Sequence, residues 1–378
     1  MKPEIDRPEK LSAWFAAPVP AVFQGQDLRP HSAAIAGLAL QGCAFLGCRM
    51  EPVLREAAAQ AGCLMMPAVD GLPFDPFHAG LYTPRQLFDQ FDPANPATYQ
   101  RCLDYRIYDS FIDPATHQPR ETEVAVTILR RLHDASISAA LDDFLDHATR
   151  LRCVAIMGGH NRGRDEDVYA QVARLALDLT RAGYLILTGG GPGLMEAGNL
   201  GAYAAGFANS EVVLADALAH MAQAPSYKDP LWLARAIEAW RAMGQPADAE
   251  RGRSVGIPTW FYGHEPPNVF ATHIAKYFEN SVREEGLLAF ALGGVIFAEG
   301  NAGTVQEIFQ DACQNYYRTY AKKKSPMILF GTEYWQKGKP AWRLLQVLGQ
   351  EKGFADYLLL TDDTAAIVPF LQSHPPAE

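Results

Sequence analysis

The chain lacks the usual marks of a metal knuckle or a disulfide scaffold. Its six cysteines (Cys43, Cys48, Cys63, Cys102, Cys153 and Cys313) are scattered, with no CxxC pair and no closely spaced histidine pair beside them. That pattern predicts reduced, mostly buried thiols and no metal site. Long apolar runs are missing too: none approaches the roughly 18 residues a membrane helix needs. The start, MKPEIDRPEKLSAWFAAPVPAV, places acids among its first residues and breaks a short apolar stretch with Pro18 and Pro20, which is wrong for a secretory signal. Positive charge is scarce, with 33 Lys and Arg against 43 Asp and Glu, a net charge of -10. Such a field repels phosphate backbones and anionic lipid. The expectation is a cytoplasmic protein with neither nucleic acid nor membrane as partner. Repeats and low-complexity tracts are absent as well.

What is present is ordinary globular material: 48% hydrophobic and 20% charged residues over 378 positions. This excludes disordered, collagen-like and coiled-coil classes. The length exceeds one typical domain, so a large domain with an appendage is expected. From Leu151 onward, short apolar runs alternate with helix-length segments. The runs are 153–159, 184–190, 254–260, 293–299, 325–331 and 356–362, apolar at both odd and even positions, as in strands covered on both faces. Strand-helix alternation predicts a doubly wound parallel sheet with ligands at the carboxyl ends of its strands. Residues 211–250 read as a helical insertion broken by Pro225, Pro230 and Pro246. Residues 1–150 read as an N-terminal α/β and helical extension. It holds one strand-helix-strand unit over 42–69 and a helical stretch at 121–148 with a candidate break near Asp134.

Two glycine loops each follow a strand and open a helix. In Thr188-Gly-Gly-Gly-Pro-Gly-Leu-Met-Glu196, glycines 189, 190, 191 and 193 permit close backbone approach, and Pro192 suits a first helical turn. Backbone N–H groups at a helix start favour a phosphate. A turn that is glycine-rich only for packing is the plainer alternative, because glycine count alone is weak evidence. The second loop is Glu299-Gly-Asn-Ala-Gly-Thr-Val-Gln-Glu307. Read locally, Thr304-x-x-Glu307 is a capping box, with Thr304 as the N-cap. The helix that follows has an apolar stripe through Val305, Ile308, Phe309, Ala312, Cys313, Tyr316, Tyr317 and Tyr320. Between the third and fourth runs, Phe270, Ile274, Tyr277, Phe278 and Val282 at helical spacing predict a helix over 263–288, with Arg283 in its last turn. His264 and His273 could touch a ligand, although lone histidines are more often structural. After the first strand, Gly159 with Arg162 or Arg164 could hold a base or phosphate; solvated arginines are the duller alternative.

Taken in order, GGGPGLMEA at 189–197, VGIP at 255–258, an arginine in the next helical segment and G-x-x-G-T-x-x-E at 300–307 resemble the LOG (Lonely Guy, lysine-decarboxylase-like) family. The long N-terminal extension is more similar to that of the larger bacterial nucleotide 5′-monophosphate nucleosidases. The resemblance covers about 151–372. It implies a Rossmann-like domain that cleaves the N-glycosidic bond of a nucleoside 5′-monophosphate, releasing base and ribose 5-phosphate without metal or redox cofactor. It also implies a homodimer or higher homo-oligomer. Catalysis would fall to Glu307 and Arg283. Nucleotide binding would fall to Gly189, Gly190, Gly191, Gly193, Met195 and Glu196, to Gly300, Asn301, Gly303 and Thr304, and to Gly159 and Arg162. The family's Pro-Gly-Gly-x-Gly-Thr-x-x-Glu has Glu299 in place of its proline and Asn301 in place of its second glycine. Its His-x-Arg-Lys segment is Ser281-Val-Arg283-Glu284. These departures favour an alternative, a non-catalytic nucleotide-binding sensor or carrier. A nicotinamide-dependent enzyme is a poorer match, since GGHNRG, not G-x-G-x-x-G, follows the first strand.

Overall fold

The computed structural model describes residues 2–113, 115–262, 265–320 and 322–377; His264 lies outside the described residues. Two compact units form, Met1–Leu81 with Glu121–Asp142, and Tyr82–Arg120 with Asp143–Glu378. The division does not fall at residue 150, because the segment 82–120 packs with the larger unit.

In the smaller unit, strands β1 (Glu4–Ile5), β2 (Val22–Gln24), β3 (Ala44–Cys48) and β4 (Leu64–Pro67) make a parallel sheet in that order. Phe23 and Phe45 are register partners and stack at 4.9 Å, with the Trp14 edge 5.0 Å from Phe23. The strand-helix-strand unit read at 42–69 is β3, helix Pro52–Gln60 and β4. Helix Val124–Phe144 runs unbroken through Asp134. No proline or glycine interrupts it, and the predicted break is absent.

The larger unit begins with helices Pro84–Leu87 and Leu103–Phe111, which lead into a short hairpin, β5 (Ile112–Asp113) and β6 (Gln118–Pro119). Its main sheet holds β7 (Cys153–Met157), β8 (Leu185–Thr188), β9 (Ser254–Gly256), β10 (His273–Ile274), β11 (Gly294–Phe297), β12 (Met327–Phe330) and β13 (Leu358–Thr361). The order is β10-β9-β8-β7-β11-β12-β13, every pair parallel. The chain winds outward from β7 to β10, then returns to the other side of β7 at β11. This is a doubly wound, Rossmann-like α/β sheet with its topological switch between β7 and β11. The strands β7, β11 and β12 are buried at every position, the property that made them readable. Helices Ser210–Met221 and Trp232–Met243 fill the insertion after β8, with Pro225 and Pro230 between them and Pro246 beyond.

The helix predicted over 263–288 is mostly absent among the described residues. Only Asn280–Phe290 is helical, and Arg283 stands in its first turn instead of its last. Upstream, the side chain of Asn268 accepts hydrogen bonds from the N–H groups of Phe270 and Ala271, both at 3.1 Å. This local turn competes with a helix, and Pro266 and Pro267 precede it. His273–Ile274 then pairs with β9, and Phe270, Ile274, Tyr277 and Phe278, read as a helical face, are buried along this extended segment, while Val282 lies exposed on the short helix.

A buried polar cluster ties residues 99–104 to this edge. Asp104 receives Lys276 Nζ at 2.6 Å, Trp260 Nε1 at 2.9 Å and the Tyr99 hydroxyl at 2.8 Å. Lys276 and Asp104 are both 1% exposed, and the indole of Trp260 lies 5.2 Å from the ammonium. No helix among the described residues is long and apolar enough to cross a membrane.

Candidate functional site

Three loops meet at the carboxyl ends of β7, β8 and β11. Gly159 N donates to Glu299 O at 2.9 Å, and Leu194 N donates to Gly159 O at 3.2 Å. Gly193 fits only as glycine: its φ is +68°, and a Cβ there would lie 2.4 Å from Gly159 O and 2.6 Å from His160 O. The two glycine turns, more than a hundred residues apart in sequence, therefore share one site at the sheet's switch point.

Between them opens a cavity of about 520 Å³. Gly158, Gly159 and His160 line it after β7, and Gly189, Gly191 and Met195 after β8. Asn301, Ala302, Gly303, Thr304, Gln306 and Glu307 line it after β11. Pro258, Thr259, Tyr262 and Glu265 form a further wall with Arg283 and Glu284. Gly190, Gly193, Gly300, Arg162 and Glu196, also named from the sequence, do not line it.

The glycine turn after β8 is braced from beneath. Thr188 Oγ1 accepts from Gly190 N at 2.9 Å and donates to Asn199 Oδ1 at 2.7 Å. Asn268 Nδ2 donates to Asn199 Oδ1 at 2.9 Å and to Gly191 O at 3.2 Å. The helix starts at Leu194, so Pro192 precedes it and does not occupy its first turn. Glu196 is fully buried: Arg164 reaches it in a two-pronged pair at 2.8 and 2.6 Å, and the Tyr169 hydroxyl donates at 2.7 Å. Both Glu196 and Arg164 are thus internal braces, not ligand contacts.

After β11, the capping box does not form. The helix is Ala302–Tyr317, with Asn301 as its N-cap and no side-chain cap, so Thr304 lies inside the first turn. Residues 301–304 of that helix start line the cavity, and no side chain caps it. Thr304, Glu307, Ile308, Asp311, Ala312 and Asn315 make the buried face. The apolar stripe read from the sequence is turned partly outward, with Cys313 exposed and Tyr317 73% exposed. Burial drives the Asp311 carboxyl well above its ordinary range. Among the described residues its Oδ2 has no hydrogen-bond partner.

Glu307 is 9% exposed. Burial pushes its carboxyl up to about 7, opposed by the nearby Arg283 guanidinium and assisted by Glu284. Arg283 Nε donates to Asn280 Oδ1 at 2.8 Å and its Nη2 to Glu284 at 3.1 Å. Its Nη1 lies 3.4 Å from where a Cβ on Gly189 would stand. The guanidinium therefore bridges the glycine turn and the carboxyl pair. The Glu284 carboxylate beside it offsets the unfavourable placement of a cation near a helix start.

Glu299, the residue in place of the family's proline, is paired with Arg162, which also reaches Glu166 at 3.0 Å. The acid thus meets a cation, and that cation is not available as a phosphate fork. Sequence reasoning missed Lys339 and Tyr334. Lys339 Nζ donates to Gly300 O and Asn301 Oδ1, both at 3.0 Å, and the Tyr334 hydroxyl donates to Gly300 O. It also missed Asn268, Tyr262 and Glu265, none of which sits in a recognisable spacing. His273 packs at 4.2 Å against Phe144 and does not line the cavity. No group of three or more His, Cys, Asp or Glu among the described residues could hold a metal ion.

No family model matches the sequence, and no curated protein matches it. Among solved structures, the molybdenum cofactor binding protein from the phototrophic bacterium Rippkaea orientalis is similar over 58% of this chain and 95% of its own, with 13% identity and a TM-score of 0.36. So slight a likeness carries no argument about ligand or chemistry; the fold assignment rests on the strand order itself.

Proposed function

We propose that the protein is a nucleoside 5′-monophosphate N-glycosidase. Water adds to C1′ as the C1′–N bond breaks, and one water proton passes to the departing base, giving free base and ribose 5-phosphate. The observation that carries this reading is the meeting of Gly189–Gly191, the uncapped helix start at 302–304, Arg283 and Glu307 around one cavity at the switch point. N–H groups at the start of a long helix suit a phosphate. A carboxyl group beside the sugar can stabilise an oxocarbenium-like transition state or take a proton from water. Arg283 would hold phosphate or orient Glu307. The motif order of the LOG family agrees with these roles, and with a cytoplasmic homodimer or larger assembly, which sedimentation velocity tests.

The decisive experiment is incubation of purified protein with a panel of nucleoside monophosphates, with chromatography for free base. Release from at least one supports the reading. A second reading, a nucleotide-binding sensor or carrier, is favoured by the three carboxylates Glu265, Glu284 and Glu307 that face the cavity against one guanidinium. Calorimetric binding without base release would establish it.

A further inference from the structure

We infer that the smaller unit holds a ligand site of its own, a pocket that takes a small molecule bearing a phosphate group on an apolar body. The pocket, about 350 Å³, shares no residue with the switch-point cavity and falls within the size range of small-molecule sites. It opens at the carboxyl ends of β3 and β4, the end of a parallel α/β sheet where ligands gather. Three arginines from three segments line it. Arg29 follows β2, Arg49 follows β3, and Arg55 stands in the first turn of the helix Pro52–Gln60.

Two of the guanidiniums are held in place. Arg29 donates to Asp27 through Nε at 2.8 Å and Nη2 at 2.5 Å, and Arg49 donates to Asp70 through Nη1 at 3.3 Å and through Nη2. Neither aspartate lines the pocket. A guanidinium carries five N–H donors in a fixed fork, so each pair leaves donors for a ligand. Arg55 is exposed, and its side chain has no hydrogen bond or ion pair among the described residues. Arg29 and Arg49 lie close enough for their charges to oppose one another, and an anion between them relieves that repulsion. Phosphate offers three oxygens and close to two charges, where a carboxylate offers two oxygens and one charge, so three guanidiniums favour phosphate. Met50, Met65 and Met66 are half-buried and complete much of the wall. Their flexible thioethers suit an apolar body, an aromatic ring above all.

The test titrates phenyl phosphate into the full chain, isotope-labelled at its methionine methyl groups, and follows each methyl by NMR. The methyls of Met50, Met65 and Met66 report this pocket, and that of Met195 reports the switch-point cavity. The three pocket methyls are expected to shift together with one Kd of about 1 mM or tighter. Benzoate should bind about tenfold more weakly, having lost a charge-assisted hydrogen bond. Arg55→Ala, at an exposed position where folding is not at stake, should weaken phenyl phosphate by about tenfold, and Arg49→Gln should do the same. No shift of the three methyls, a shift of Met195 alone, benzoate binding as tightly as phenyl phosphate, or a Kd unmoved by both substitutions overturns the inference. None of these outcomes touches the glycosidase reading, which base release decides separately.

Discussion

Glu307 titrates near neutrality because burial outweighs its neighbouring guanidinium, and this exposes it to test in two ways. If its ionised form serves the reaction, kcat/KM should rise with pH to about 7 and level off above. A profile that falls through that range would reassign it as a proton donor. Glu307→Gln should abolish turnover while leaving nucleotide affinity within about tenfold, because the lost charge acts mainly in the transition state. Stability should respond in the opposite sense. The fold raises this carboxyl from 4.5 to about 7 and so favours its protonated form. Its contribution is full below 4.5 and is lost as pH climbs to about 7. Urea denaturation at pH 5 and pH 8 should therefore show Glu307→Gln gaining on the wild type with rising pH, by up to about 3 kcal/mol. A constant difference would refute the burial argument.

At the scale of elements, the site depends on short turns that are braced from below. Replacing Asn268 by Ala removes the acceptor for two N–H groups and the donor to Gly191 and Asn199. The expected cost is about 2–4 kcal/mol in urea denaturation, with a raised KM as the glycine turn loosens. Much of this level was legible in the sequence. Five of the six strands read in the main sheet are largely buried and so apolar at both parities, the half-buried β13 was legible from its leucine run alone, and both glycine loops could be read because each interrupts an apolar run. The stretch 265–279 was misread because its aromatic and β-branched residues fit helical and extended spacing alike, while the deciding turn at Asn268 is a single side chain's choice. The capping box failed for a similar reason, since the helix begins two residues before Thr304. Partners that settle the site lie far away in sequence: Asn268 reaches Gly191 across 77 positions and Lys339 reaches Gly300 across 39. No spacing rule exposes such pairs. The resemblance to a family supplied Glu307 and Arg283, but not the pairing of Glu299 with Arg162.

At the scale of the whole molecule, the segment 82–120 belongs with the sheet that carries the site, although its composition resembles the residues before it. Its anchor is Asp104. Asp104→Ala should cost about 3–5 kcal/mol, because it leaves the ammonium of Lys276 buried without a counter-charge, whereas loss of an exposed pair costs about 1 kcal/mol or less. Thermal unfolding of Asp104→Ala beside Arg29→Ala, whose partner Asp27 is exposed, makes the comparison within one protein. The anchor also governs how the polypeptide can be dissected. A fragment trimmed to start at 143 would keep every strand of the main sheet and every cavity residue, yet would strand a cation in its interior. A self-sufficient piece must instead reach back to Tyr82, and a truncation chosen from the motifs alone would discard the residue that makes it viable.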